Sequence, residues 1–132
     1  MEPQSLQRKK ILFVEDEESM LNALVDSFKR EGVIEVLTAR NGEDGLALAL
    51  KEHPDLLLVD ILMPKMDGLT MLKRVREDEW GKMVKVIVLT NFDTDDEMLK
   101  KVSLAEPAFY LLKSNWSMED VILKSKEVLG LL

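Results

Sequence analysis

Apolar and polar positions divide this chain into short hydrophobic runs separated by longer segments of helical period. Four runs, 11–14, 56–59, 86–89 and 109–112, are almost wholly apolar, the pattern of strands covered on both faces of a sheet. One more strand, the second in chain order, over 33–39, is mixed but rich in β-branched and apolar residues. Residues 18–31 place Leu21, Leu24, Val25 and Phe28 on one helical face, and Gly32 is positioned to end that helix. Asn41 caps a second helix running to about His53, with Leu46, Ala49 and Leu50 inward and Pro54 closing it. Asp67 caps a third helix that carries Leu69, Leu72 and Val75. Thr94 with Glu97 makes a capping-box pattern before a helix to about Leu104. The last helix is capped by Ser117 with Asp120 and reaches Leu131.

Strict alternation of strand and helix predicts an α/β fold, a (βα)5 chain with a parallel sheet covered by helices on both faces. Right-handed crossovers leave few strand orders. In the flavodoxin-like, doubly wound order 2-1-3-4-5, the switch point falls between the first and third strands, and ligands bind beyond the carboxyl ends there. The residues that follow the apolar runs are therefore the ones to examine. Glu15 and Asp16 follow the first run, Asp60 the second, Thr90 the third and Lys113 the fourth.

Bulk composition narrows the function without choosing it. A length of 132 residues fits one domain, and 46% hydrophobic with 33% charged residues fits a folded globule rather than a disordered chain. The net charge of −7 argues against non-specific nucleic-acid binding and favours protein partners. Without cysteine, disulfides and cysteine-based zinc sites are excluded. No apolar run approaches the roughly 18 residues of a membrane helix. The basic cluster Arg8-Lys9-Lys10 precedes only four apolar residues, fewer than the about 7 to 15 of a signal-peptide core. A cytoplasmic address is expected, with residues 1–9 as a polar tail.

Three carboxylates at one sheet edge repel one another, at about 4 Å by roughly 4 kcal/mol per ionised pair for an effective dielectric near 20. Folding alone does not call for that arrangement, so a cation should offset it. Lys113 supplies one charge, and a hard divalent ion such as Mg²⁺, which takes carboxylates and phosphate oxygens, suits the remainder. A carboxylate can also attack phosphorus to give an aspartyl phosphate, with the metal neutralising charge on the phosphoryl oxygens. Thr90 could donate to one such oxygen and Lys113 pair with another.

The acidic pair Glu15-Asp16, the stretch Asp60-Ile61-Leu62-Met63-Pro64-Lys65-Met66-Asp67-Gly68, Thr90 after the fourth strand and Lys113 after the fifth are together similar to the motifs of receiver domains of bacterial two-component response regulators. The resemblance covers residues 10–131. It implies that Asp60 is the phosphoacceptor, served by a histidine kinase, a phosphotransfer protein or a small acyl phosphate. It also implies that Asp16, Asp60 and the Leu62 backbone carbonyl ligate Mg²⁺, with Glu15 acting through water. Thr90 and Lys113 would bind phosphoryl oxygens, and Tyr110 would be the aromatic whose rotamer follows Thr90. The face of the fourth helix, fifth strand and fifth helix would then change affinity for a downstream protein or an output domain. Such a domain is a signalling switch with no enzymatic activity beyond its own phosphorylation and dephosphorylation.

Departures from the family pattern carry their own expectations. Asn91 stands where a small residue is usual, and Phe92 and Leu62 are apolar beside it, which predicts slow self-hydrolysis. Ser114 replaces the proline that usually follows the lysine. A cis bond to a non-proline residue costs about 2.5 to 4 kcal/mol, so a trans Lys113–Ser114 peptide is expected. Pro107 is a further departure ahead of the fifth strand. Other readings remain: a binding module that works without phosphorylation, or a haloacid-dehalogenase-type phosphatase, which would need a second Asp where Leu62 stands. His53, Trp80 and Trp116 are expected at helix margins, and Asp67-Gly68 as turn and cap.

Overall fold

The computed structural model describes residues 8–30, 32, 34–91 and 96–131. Among these the chain runs β1 (Lys9–Val14), α1 (Glu18–Lys29), β2 (Ile34–Ala39), α2 (Gly42–Glu52), β3 (Leu56–Val59), α3 (Gly68–Glu77), β4 (Lys85–Thr90), α4 (Asp96–Leu104), β5 (Phe109–Leu112) and α5 (Met118–Val128). The strands form one parallel sheet in the order β2-β1-β3-β4-β5, as the alternation predicts. Among the described residues, no helix is long and apolar enough to cross a membrane.

Period-2 alternation in the strands splits the core into two layers. Leu12, Val14, Leu57, Val59, Val86 and Val88 face α2, α3 and α4, where Ala49, Met71, Leu72, Val75 and Val102 meet them. Ile11, Phe13, Leu56, Leu58, Ile87 and Leu89 face α1 and α5, against Leu24, Phe28, Val121 and Val128. β1, β3 and β4 are thus buried on both faces, which is why their sequences are unbroken apolar runs. The strand ends they carry are fixed by packing on either side.

Several boundaries differ from the sequence expectation, each for a local reason. α5 stops at Val128 rather than Leu131, because Gly130 takes a left-handed φ of 74° and Leu131 N–H turns back to the Lys126 carbonyl at 2.9 Å. On α2, Leu50 is 38% exposed, and Gly42 and Gly45 are buried instead. A Cβ at Gly42 would collide with the Met66 carbonyl, and one at Gly45 would press on Val14, so the inward face here is set by closeness rather than apolarity. α1 ends at Lys29, two residues short of the expected end. Two short 3-10 turns, Trp80–Lys82 and Lys113–Asn115, were not expected. The predicted caps hold at Asn41, Asp67 and Ser117, the last with a reciprocal bond to Asp120. Thr94 and Phe92 lie outside the described residues.

Candidate functional site

The site is built by extending two strands one residue past their last paired positions. Glu15 N–H donates to the Ala39 carbonyl at 3.0 Å, and Asp60 N–H donates to the Val14 carbonyl at 3.0 Å. Both carboxylates therefore leave the sheet at its carboxyl edge, beside the β1–β3 switch point. The loop after Asp60 is closed by Gly68, whose N–H donates to the Ile61 carbonyl at 2.8 Å. Glycine is required there because a Cβ would run into the Asp60 carbonyl oxygen. Asp67 then starts α3 by accepting from the Thr70 N–H at 2.8 Å, so Asp67-Gly68 is turn and cap as expected.

Carboxylate oxygens of Glu15, Asp16 and Asp60 lie within 4.8 Å of one another. Glu15 and Asp60 are buried and Asp16 is exposed. Lys113 Nζ bridges the first two, at 2.5 Å from Glu15 Oε1 and 3.3 Å from Asp60 Oδ2, with Glu17 Oε2 further out at 3.8 Å. Glu15 Oε2 accepts from the Glu17 N–H at 2.9 Å, at the start of α1. Burial is the main force that raises the Glu15 carboxyl above its ordinary value, and the Asp60 charge adds to it. The Lys113 bond and charge and the Glu17 amide pull the other way without cancelling the rise. For Lys113, burial is the largest single influence and favours the neutral amine, but the bonds and charges of Glu15 and Asp60 together outweigh it and raise the ammonium pKa.

Asp60 Oδ1 is buried without a hydrogen-bond partner among the described residues. A buried unsatisfied carboxylate oxygen is costly, and here it sits in an all-oxygen donor set that suits a hard divalent cation. The residues present thus fit a cation held by Asp16 and Asp60, with Glu15 beside them. The cleft above is lined by Asp16, Glu17, Asp60, Leu62, Thr90, Asn91 and Lys113. The structure brings six of the seven sequence-identified residues, Glu15, Asp16, Asp60, Leu62, Thr90 and Lys113, to this one edge. Tyr110 stands apart: it pairs with Val88 in the β4–β5 ladder and packs half-buried on the α4 side of the sheet.

No peptide bond among the described residues is cis, so Lys113–Ser114 is trans, and the 3-10 turn at 113–115 still delivers the ammonium to Asp60. Sequence reasoning missed two residues. Glu17 reaches Lys113, and its place one residue past the acidic pair was the available signal. Arg76 of α3 donates to four carbonyls, those of Gly81, Val84, Ala105 and Glu106, at 2.6–3.0 Å. It thereby ties α3 to the β4 entry and to the turn between α4 and β5.

A doubly wound sheet with an acidic cluster at its switch point and a lysine and threonine on the next two strand ends defines a class of phosphoryl-handling signalling domain. The response regulator receiver domain family matches residues 11–124, and the chain belongs to that family. It is 35% identical over 121 residues to the alkaline phosphatase synthesis transcriptional regulatory protein PhoP of Bacillus subtilis, across 92% of this chain and 48% of that protein. Protein PilH of Pseudomonas aeruginosa is 34% identical over 88 residues, 67% of this chain and 72% of PilH. Among solved structures, a CheY-like receiver domain protein of Methanospirillum hungatei superposes with a TM-score of 0.84 at 28% identity, covering 94% of this chain and 95% of that one. The chain spans about half or less of the length of the transcriptional regulators PhoP and AfsQ1 and of PleD.

Proposed function

We propose that Asp60 is the phosphoacceptor of a cytoplasmic two-component phosphorelay, phosphorylated from a histidine kinase or a phosphotransfer protein with Mg²⁺ bound at Asp16, Asp60 and the Leu62 carbonyl. The observation that carries this is the asymmetry of the Asp60 carboxylate. Oδ2 is engaged by Lys113, whereas Oδ1 is buried and unpartnered. Attack by an Asp60 oxygen on phosphorus forms an acyl phosphate bond as the bond to the donor breaks, and the donor leaves with that electron pair. Mg²⁺ at the carboxylates supplies neutralisation of the phosphoryl oxygens. Lys113 already lies on the acceptor side, so it can shift from Asp60 to a phosphoryl oxygen without crossing the site. Thr90, one strand over and facing the same cleft, serves a second oxygen. Water then attacks phosphorus to release phosphate and regenerate the carboxylate.

Tyr110 and α4 share one side of the sheet, which supports a response of the α4–β5–α5 face to Thr90 as it engages phosphate. That face would then change its affinity for a protein target or an output domain. The test is incubation with a small acyl phosphate and Mg²⁺, read by intact mass. The expected result is one added phosphoryl group, absent for Asp60→Asn and without metal. With Leu62 and Asn91 crowding the mouth of the cleft, the phosphoryl group should decay slowly, and complete loss within a minute at neutral pH would contradict that part. Partner binding that is unchanged by Asp60→Asn under phosphorylating conditions would instead favour a phosphorylation-independent module.

A further inference from the structure

Between α3 and α4, on a side of the molecule that the phosphoryl site does not use, lies a second cleft of about 530 Å³. Its apolar part is formed by Leu69 of α3, half-buried, and Leu104 at the end of α4, which is 81% exposed. A lone exposed leucine needs no explanation. This one borders a cleft continuous with a second leucine and with buried Ala105, so the apolar surface is concave. Exposed Lys73 of α3 and Lys101 of α4 also line it, one from each helix. Glu77 is the single acid among the described lining residues. In a chain of net charge −7, a partly apolar cleft lined by two exposed lysines and one acid is a local reversal of sign.

The floor is also preformed. Arg76 spends its donors on the Ala105 and Glu106 carbonyls at the α4 end, at 2.9 and 3.0 Å, and on Gly81 and Val84 beneath α3. The end of α4 is thereby fixed against α3, and a ligand entering the cleft need not order it.

We propose that this cleft is a docking surface for an acidic amphipathic helix of a partner protein. Aliphatic side chains of the partner would enter between Leu69 and Leu104, and its carboxylates would meet Lys73 and Lys101. A groove between two helices receives a third helix by ridge-into-groove packing. α3 has 10 residues, so a matching partner segment is about three turns, roughly 15 Å long. The apolar floor selects an acidic amphipathic peptide over a nucleic acid, whose phosphates offer nothing to the two leucines.

The test uses the unmodified full chain, so its outcome does not depend on phosphorylation at Asp60. The probe is a synthetic helical peptide of about four turns, built from Glu, Leu and Ala with Leu at i, i+3, i+4 and i+7. Binding is followed by fluorescence anisotropy and by amide chemical shifts of the labelled protein. Expected are shifts centred on Leu69, Thr70, Lys73, Lys101 and Leu104, with affinity that falls as salt rises. The double reversal Lys73→Glu/Lys101→Glu should weaken binding about tenfold or more, a sum of individually small exposed pairs. Leu104→Ser should weaken it comparably. Both variants change exposed side chains, and unchanged urea midpoints should show that they fold. The proposal is overturned by any of four results: no shifts at millimolar peptide, shifts centred elsewhere, equal binding of a peptide with Lys in place of Glu, or displacement of the peptide by duplex DNA. Concentration-dependent self-association abolished by Leu104→Ser would also overturn it, since the occupant would then be a second copy.

Discussion

Replacing Asp60 by asparagine should make the metal-free protein more stable, the opposite of the usual effect of changing a buried residue. Asp60 shares a 4.8 Å cluster with Glu15 and Asp16 and lies 3.3 Å from the Lys113 ammonium. At an effective dielectric of about 20, each carboxylate pair at that spacing repels by about 3.5 kcal/mol and the lysine attracts by about 5 kcal/mol. Asp16 is exposed, and solvent damps its share by roughly half, so the Coulomb contributions of Asp60 nearly cancel. What remains is the desolvation of a buried oxygen with no partner, a cost of about 1 to 3 kcal/mol. Asparagine keeps the shape, sheds the charge and gains an amide donor that can face Glu15 or Asp16. The expected gain is therefore about 1 to 3 kcal/mol, a rise of roughly 0.5 to 1.5 M in the urea midpoint for a domain of this size. The assay is urea unfolding of wild type and variant in chelator and again in saturating Mg²⁺. A ligand at 100 times its Kd stabilises the native state by about 2.7 kcal/mol, and the variant has lost one of the carboxylates proposed to hold the metal. The gap should accordingly close or reverse with metal. A variant less stable than wild type in chelator would refute the electrostatic account of the site.

Two further outcomes follow from the same geometry. Arg76→Met keeps the aliphatic stem but removes charged donors from four carbonyls; individual bonds of this kind contribute about 1.5 to 3 kcal/mol and solvent can replace part of them, so urea unfolding should show a loss of about 2 to 4 kcal/mol, and a loss below about 1 kcal/mol would contradict the clamp. For pH, the raised Glu15 pKa means that its protonation favours the folded state: that contribution is complete below the ordinary value of 4.5 and is lost as pH rises through the higher folded value. Ionised Glu15 is thus a net cost to the metal-free protein at neutral pH, and protons compete with metal for the cluster. Calorimetric titration should find Mg²⁺ binding weakening on acidification from neutrality toward pH 5, earlier than an ordinary carboxylate would cause, and Glu15→Gln should flatten that dependence.

The edge constellation was legible in the sequence because β1, β3 and β4 are buried on both faces. Full burial makes a strand an unbroken apolar run, and the first polar residue after it marks the strand end without ambiguity. Asp60, Thr90 and the Glu15-Asp16 pair were found in that way. Arg76 was not legible: its acceptors are backbone carbonyls at 81, 84, 105 and 106, and carbonyls carry no sequence signature. Leu50 was assigned inward by apolarity, whereas α2 approaches its neighbours through Gly42 and Gly45, where closeness demands the smallest side chain. The end of α5 was overrun because apolar Leu129 and Leu131 continue the helical pattern past the Gly130 stop.

The charge cluster and the packing explain one another. Three carboxylates on flexible loops would move apart and relieve their repulsion. Here Glu15 and Asp60 are held by ladder bonds to Ala39 and Val14, and those strands are pressed between two apolar layers. The carboxylates are consequently held in place, and a cation entering the cleft meets charges that need no reorganisation. For the proposed switch, the same rigidity bears on where a change at Thr90 would spread. β4 is buried along almost its whole length, so it can yield little. At the α4 end, Arg76 pins the Ala105 and Glu106 carbonyls to α3. The switch proposed above would need a firm anchor at the far end of α4, and Arg76 supplies it.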